Sequence, residues 1–516
     1  MLRDMLGSQS SVLQHRIQDL WLIVLSLIFL PIDSFITFWS LVLSNVLHSA
    51  AEHRRKQARH APSFKPRTIL VTGVGMTKGL SLARQFYEAG HDVIGADFEA
   101  SGSRVCGRVS RALKKFVPLR KPNAKEGSSP YIQSLLDVVV KERVDLWVSC
   151  SGVASAVEDG EAKQIVEART SCKAIQFDVQ TTQILHEKHT FIDRTRELGL
   201  TVPETHTITS REAVDSALRD APEGRRYIMK TIGMDDSNRG DMTLLPKATP
   251  EETTKHLNKL KISEKSAWIV QQYIKGQEYC THALVVKGHV KAFVACPSAE
   301  LLMHYQALPT GSRLSNEMLK FTQTYAAAGG DSFTGHLSFD FLVEDAELDR
   351  LQDNPDANIT LYPIECNPRA HTAVALFNGT PGMASAYLTL LDPSSSIRST
   401  YAEATANGTV NEHIVAPRYL DVRYYWIGHD LVNLVLLPLF GLLTLDRDSS
   451  LSGVAKGIDT LLDRLLFWKD GTYEFWDPLP WWWLYHVYWP WQFLLCFLAG
   501  KKWSRLNVST CKMFEC

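Results

Sequence analysis

Two segments in the second half of the chain carry the residue types that metal-assisted phosphoryl chemistry needs. Leu337-Ser338-Phe339-Asp340-Phe341 alternates like a strand and leaves Asp340 on one face. Ile364-Glu365-Cys366-Asn367-Pro368-Arg369 follows it, and alternation sends Glu365 and Asn367 to a shared face. Oxygen donors so placed can meet Mg²⁺ and bridge it to phosphates. Arg369 can then grip a planar acid or a transferring phosphoryl group through two parallel hydrogen bonds. Cys366 points to the opposite face and is expected to pack rather than react. Upstream, Tyr227-Ile228-Met229-Lys230 ends a strand in an ammonium group that can reach a phosphate. Lys188 sits in a stretch, 182–198, with the pattern of one amphipathic helix. Asp236-Ser237-Asn238-Arg239-Gly240 is a polar turn suited to closing over phosphates, with Arg239 neutralising charge. Between them, Trp268-Ile269-Val270-Gln271-Gln272-Tyr273-Ile274-Lys275-Gly276-Gln277-Glu278 leads an apolar strand into a hinge whose backbone can bond an adenine edge. Glu278 can accept from ribose hydroxyls. An amine substrate would have to be kept deprotonated, and His371, His282 and Asp340 are the candidate bases.

These residues need a scaffold, and the sequence supplies two units. Strand-like 67–72 runs into Gly73-Val74-Gly75-Met76-Thr77-Lys78-Gly79 and an apolar helix, then a second strand ends at Asp97. With strand signals near 144–148 and 173–177, residues 66–178 form a Rossmann-like α/β domain. The glycines invite a different reading, an NAD(P)-dependent oxidoreductase using Gly73, Gly75, Gly79 and Asp97. No tyrosine has a lysine four residues later, as a short-chain dehydrogenase would require. These glycines are better read as tightening a turn or shaping a substrate pocket. A third reading is a non-catalytic membrane scaffold that kept the fold.

The ends of the chain differ from its centre. Residues 20–47 are almost continuously apolar, long enough to span a bilayer, with Pro31 and Asp33 dividing them. A kinked spanning helix and a re-entrant hairpin both fit. Arg54, Arg55, Lys56, Arg59, Lys65 and Arg67 follow, which by charge asymmetry places the catalytic domain in the cytosol. Trp481, Trp482, Trp483, Tyr485, Tyr488, Trp489 and Trp491 crowd the C-terminal region, as an interfacial membrane anchor would, with a Trp-rich core patch or a dimer contact as the alternative. Residues 1–60 and 396–516 thus read as membrane-associating extensions around the 66–178 and 179–395 domains. A net charge of −1 argues against a nucleic-acid binder, which should show a strong basic excess, and nine dispersed cysteines fit reduced thiols.

Taken in order, Lys188, Lys230, the hinge, Glu278, Asp340 and Glu365-x-Asn367-x-Arg369 resemble the ATP-grasp ligases. The resemblance implies a two-lobed ATP-grasp domain after the Rossmann-like one. It also implies ATP and Mg²⁺ as cofactors, with Mn²⁺ able to substitute. By motif, Lys188 and Lys230 would contact phosphates, Gln271, Tyr273 and Ile274 the adenine, and Glu278 the ribose. Asp340, Glu365 and Asn367 would hold the metal, with Arg369 beside the reacting intermediate. Gly75-Met76-Thr77-Lys78, Ala89-Gly90-His91, Cys280-Thr281-His282 and Tyr425-Trp426-Ile427-Gly428-His429-Asp430 are similar to the mycosporine-glycine synthase group over about residues 15–435. That group joins glycine to the vinylogous acid 4-deoxygadusol. The expected function is therefore an ADP-forming acid–amine ligase of specialised metabolism, acting on small molecules at a membrane surface, and an oligomer is compatible with the sequence.

Overall fold

The computed structural model describes residues 10–47, 49–150, 152, 155–222, 224–231, 243–264, 266–298, 303–392, 414–443 and 450–516. The Asp236–Gly240 turn, Arg239 included, lies outside them.

Chain order begins with one long helix, α1 (Val12–Val46), which runs unbroken through Pro31. A hairpin at Pro31 and Asp33 is therefore not formed. Ser26, Ser34, Ser40 and Asp33 do not break the helix, and each bonds a residue outside it. The first α/β unit is as its sequence pattern requires: β1 (Thr68–Thr72), helix α2 (Thr77–Glu88), β2 (Asp92–Phe98), β3 (Lys115–Leu119), β4 (Leu146–Val148) and β5 (Lys173–Ile175). The five strands are parallel in the order β3-β2-β1-β4-β5. Ile69, Leu70, Val71, Leu146, Trp147 and Val148 are buried, as a parallel sheet covered on both faces demands.

The stretch expected as one helix over 182–198 is two, α3 (Val179–His186) and α4 (Lys188–Glu197). Glu187 between them is extended, and the Thr190 hydroxyl bonds the carbonyls of Ile184 and Glu187 that the break exposes. Lys188 consequently opens the second helix.

Two antiparallel lobes follow. β6 (Thr205–Ile208), β7 (Tyr227–Thr231) and β8 (Trp268–Gln272) pair in the order β6-β8-β7 around a small core of Ile208, Val214, Tyr227, Met229 and Val270. β9 (Gly276–Val286), β10 (His289–Pro297), β11 (Gly335–Glu344) and β12 (Tyr362–Asn367) form the larger sheet, ordered β10-β9-β11-β12. Its aromatic core includes Phe191 of α4, Phe321, Tyr325, Phe339 and Phe341. This mixed architecture, with its five-stranded parallel sheet, matches the expected α/β class.

The two ends meet. Residues of α1 buried against the protein are all polar: His15, Asp19, Thr37, Ser40 and Ser44. Its large apolar residues are exposed instead, among them Trp21, Leu27, Ile28, Phe35, Phe38 and Trp39. The polar seam is held from Arg16 to Asn45. Arg16 Nε donates to Phe497 O at 3.0 Å, Trp503 Nε1 to Asp19 at 2.8 Å, and Trp482 Nε1 to Ser34 at 3.0 Å. His486 meets Asp33 at 2.8 Å, Tyr473 meets Ser40 at 2.7 Å, and Arg111 reaches Asn45 at 2.8 Å. The C-terminal tryptophans expected as an interfacial belt thus act largely as a clamp. Trp481 and Trp489 of that group, and Trp503 beyond it, are buried, while Trp483 and Trp491 donate to Arg104 O and Ser101 O on the first domain. The polypeptide ends in a hairpin of β13 (Trp503–Asn507) and β14 (Lys512–Glu515).

Candidate functional site

β11 and β12 bring the acidic residues together because they pair antiparallel. Asp340 lies directly across from Glu365 and Ser338 across from Asn367. Asn367 Nδ2 donates to Asp340 Oδ2 at 3.2 Å, and Arg369 Nη2 donates to Asn367 Oδ1 at 2.9 Å. Cys366 turns into the aromatic core and is buried, as alternation requires. Asp340 Oδ1 is buried and accepts no hydrogen bond. Burial raises the Asp340 carboxyl well above its ordinary range, with Glu365 and Glu278 adding repulsion. An orphaned carboxylate oxygen between like charges is the environment that a divalent cation relieves. Among the described residues no three His, Cys, Asp or Glu side chains form a metal cage. The donor set here is two carboxylates and one amide, so phosphate oxygens and water would have to complete a Mg²⁺ shell. The residues fit that ion in this shared form.

The lysines converge on the same strands. Lys188 Nζ pairs with Glu365 Oε2 at 2.9 Å. Lys230 Nζ donates to Gln271 Oε1 at 2.7 Å, and Gln271 Nε2 donates to Thr205 at 3.3 Å. Burial lowers Lys230 to about 8, with Lys188 adding repulsion and Glu365 and Glu278 opposing it. Glu278 is exposed at the start of β9 and accepts from the Ser298 hydroxyl at 2.8 Å. At the hinge, Ile274 is buried, while the Tyr273 amide donates to Arg226 O at 2.8 Å. Tyr273 therefore offers a ligand its carbonyl rather than its N–H.

The histidines do not suit the role of base. His371 is buried, and Ala373 N donates to its Nδ1 at 3.3 Å. The neutral ring then carries its proton on Nε2, which makes it a donor. Burial lowers its pKa well below the usual range, with Arg369, His282 and Lys78 adding to the effect. His282 is deeper still. It accepts from His371 N at 3.3 Å, and burial with the Lys78 charge lowers it to about 3.

Asp340, Glu365, Asn367, Arg369 and His371 line a cavity of about 1050 Å³. Its other walls include the turn of Gly73, Gly75, Met76 and Lys78, to which the sequence allowed a role in shaping a substrate pocket, and residues from Lys121 to Tyr131 and from Gly152 to Glu161. The C-terminal hairpin through Asn507, Thr510, Cys511, Lys512 and Phe514 also lines it and was not foreseen from sequence. Lys78 stood within a quoted motif, but nothing in its spacing marks it as buried. The turn itself is closed to a dinucleotide. Asp97 already accepts from Gly75 N and Phe98 N, each at 2.7 Å, so the amide that would meet a pyrophosphate faces a carboxylate.

No protein-family model and no curated protein matches the sequence. Among solved structures, the chain is similar to N5-carboxyaminoimidazole synthetase from Staphylococcus aureus complexed with ADP. The identity is 15%, over 61% of this chain and 73% of that one, with a TM-score of 0.42. It is also similar to L-amino acid ligase from Bacillus licheniformis at 13% identity, over 64% and 74% of the two chains, with a TM-score of 0.41. A third is the biotin carboxylase–β-γ-ATP complex from Campylobacter jejuni, at 15% identity, over 63% and 70%, with a TM-score of 0.45.

Proposed function

We propose that the chain is an ATP-dependent, ADP-forming ligase that phosphorylates a small acid and couples it to an amine. The observation that carries this reading is the strand pair. Asp340, Glu365 and Asn367 gather where an acidic oxygen lacks a partner, in a cavity shared with Arg369 and beside two lysines. Mg²⁺ held by these three residues would neutralise the phosphate charge. Lys188 and Lys230 bind and orient the phosphates, and the 268–278 segment seats adenosine. Arg369 holds the acid in line. The γ-phosphoryl group passes from ATP to the acid's oxygen, releasing ADP. The amine nitrogen then attacks the activated carbon and expels phosphate, which carries away the proton the nitrogen loses. His371 Nε2–H is placed to donate a hydrogen bond rather than to take a proton. Arg239 would add charge over the phosphates from the segment outside the described residues.

The finer reading is a mycosporine-type reaction that joins 4-deoxygadusol and glycine, supported by the sequence resemblance. ADP and phosphate release should require both an acid and an amine, and Asp340→Ala should abolish it. Metabolite mass spectrometry on cells expressing the chain, with Asp340→Ala as control, identifies the product. Product made without ATP would sink the ligase reading.

The same enzyme is proposed to rest on a bilayer. One helix among the described residues is long and apolar enough to cross a membrane. A helix of this length measures roughly 52 Å, and its polar seam is bonded to the protein near both ends. Lying along the surface with its apolar face in lipid fits these contacts better than crossing away from the domain. The basic flank gives weaker support for a cytosolic orientation than its charge suggests. Arg54 pairs with Glu88, Arg55 bonds Tyr87 O and His91 O, and Arg59 pairs with Asp92. Flotation with phosphatidylcholine–phosphatidylserine vesicles should be lost when Leu27, Ile28, Phe35 and Phe38 are all changed to Ser. Flotation unchanged by those substitutions would remove this part of the proposal.

A further inference from the structure

A second cleft lies at the other end of α2. The first turn of that helix lines the large cavity through Lys78, and its last turns line a cleft of about 270 Å³ through Arg84, Gln85 and Glu88. Lys78 and Gln85 are seven residues apart, roughly 10 Å along the helix. The two spaces share no lining residue. Asn378, which follows the helical turn Thr372–Phe377, stands against α2, and Gln85 Nε2 donates to its Oδ1 at 3.2 Å. Tyr419, Val422, Lys469 and Glu474 supply the remaining wall from later in the chain. The volume falls just under the range of drug-sized ligand pockets, which begins at about 300 Å³, so the cleft suits a ligand of a few heavy atoms.

Two of the charged groups here are already committed. Arg84 directs all three of its nitrogens to Asp477 and Thr472, each at 2.9 Å. Arg54 donates to one Glu88 oxygen from Nε and Nη2, both at 2.9 Å. Three groups are left over. Gln85 is 8% exposed, and its buried Oε1 accepts no hydrogen bond. Glu474 meets no cation at ion-pair distance among the described residues, although Arg84 and Lys469 feel its charge. Burial raises its carboxyl above the ordinary range, with Arg84 opposing. Lys469, on the short strand Lys469–Asp470, is exposed and has no carboxylate at that distance among the described residues. A buried acceptor beside an unpaired carboxylate favours an ammonium group, and the lysine across from them favours a carboxylate. Tyr419 and Val422 add apolar surface between these poles.

We propose that this cleft is a second small-molecule site, one that takes a free α-amino acid with a small apolar side chain. Glu474 and Gln85 Oε1 receive its ammonium group, Lys469 its carboxylate, and Tyr419 with Val422 its side chain. The mixed charges of the wall suit a zwitterion, which presents both signs on one small body. The inference stands apart from the ligase reading, because Asp340, Glu365, Asn367, Lys188 and Lys230 do not line the cleft.

The test titrates the full chain in detergent with L-valine by calorimetry, without nucleotide or Mg²⁺. Wild type should bind it. Isobutylamine and isovalerate, which each lack one of its charged groups, should bind at least tenfold more weakly. Glu474→Gln should weaken L-valine tenfold or more, and Lys469→Met several-fold. Asp340→Asn should bind it as wild type does, which separates the cleft from the large cavity. Failure of wild type to bind, equal binding by Glu474→Gln, or loss of binding in Asp340→Asn overturns the proposal. Either half-ligand binding as tightly as L-valine overturns the assignment to a zwitterion. Should Glu474→Gln fail to fold, Lys469→Met decides alone, because that residue is exposed, and unchanged binding there overturns the site. ADP release with acid–amine pairs is read separately. Its absence would sink the ligase reading and leave L-valine binding at the cleft in place.

Discussion

The glycine turn around Gly75 and the strand pair around Asp340 face one cavity, yet they leave their polar groups in opposite states. At the turn, the Gly75 amide is met by Asp97, and a Cβ at Gly79 would lie 2.3 Å from Gly73 O, so backbone packs on backbone. At the strand pair, one Asp340 oxygen is buried without a partner among like charges. Local completeness signals scaffold, because no ligand is needed to satisfy it. Local incompleteness signals a site, since burying an unsatisfied carboxylate costs stability unless something binds there. The conspicuous motif is complete in itself, and the inconspicuous one is where the proposed chemistry is placed.

Breaking the strand pair should have the largest effect. Asp340→Asn removes the orphaned charge and should lower the rate of ADP release by about 10³-fold. The nucleotide-free protein should melt no lower than wild type, since the change relieves repulsion. A clear loss of melting temperature with activity retained would mean that Asp340 is structural. Next is Lys188→Met, which frees Glu365 from its ion pair and removes a phosphate contact. About 10–100-fold in the KM for ATP is expected, with the KM for the acid little changed.

The turn should respond in stability alone. Gly79→Ala forces a methyl group against Gly73 O and should cost about 1–3 kcal/mol by chemical denaturation. Mg·ADP should still stabilise the variant, and NAD(P) should stabilise neither protein. Stabilisation of wild type by NAD(P), lost in Gly79→Ala, would reverse the comparison and restore the oxidoreductase reading.

How much of this was legible in the sequence follows from the range of the contacts involved. Alternation over 337–341 and 364–369 suffices to put Asp340, Glu365 and Asn367 on one face, because strand periodicity is local. The five-strand α/β unit is legible for the same reason. The helix break at Glu187 is not, since 182–198 keeps a helical pattern and the interruption rests on Thr190 hydrogen bonds. The ends mislead more deeply. Trp482, one of the tryptophans that look like a lipid belt, donates to Ser34, and Trp503 beyond them donates to Asp19, each more than 400 residues away in sequence. The seam at Asp19, Ser26, Asp33 and Ser40 repeats every seven residues and could have revealed a polar-in helix, but the bulk apolar composition masks it. Lys78 is the clearest omission, because burial of a lysine leaves no trace in its neighbours' types.

The smallest effect tests whether the lysines belong with the incomplete region. Lys230 is held at about 8 in the folded chain, chiefly by burial, against an ordinary value of 10.5. Between those values the unfolded chain binds more protons at this site than the folded one, so folding stability rises with pH through that window. Below about 8 both states are protonated, and the full cost of burying the charge is present. Wild type without nucleotide should therefore gain melting temperature relative to Lys230→Met as pH is raised from 8 to 10. Bound Mg·ADP should flatten that difference, because phosphate oxygens stabilise the charged lysine and move its pKa back toward the unfolded value. A difference that persists unchanged with Mg·ADP bound would place Lys230 outside the phosphate site and leave Lys188 to serve it alone.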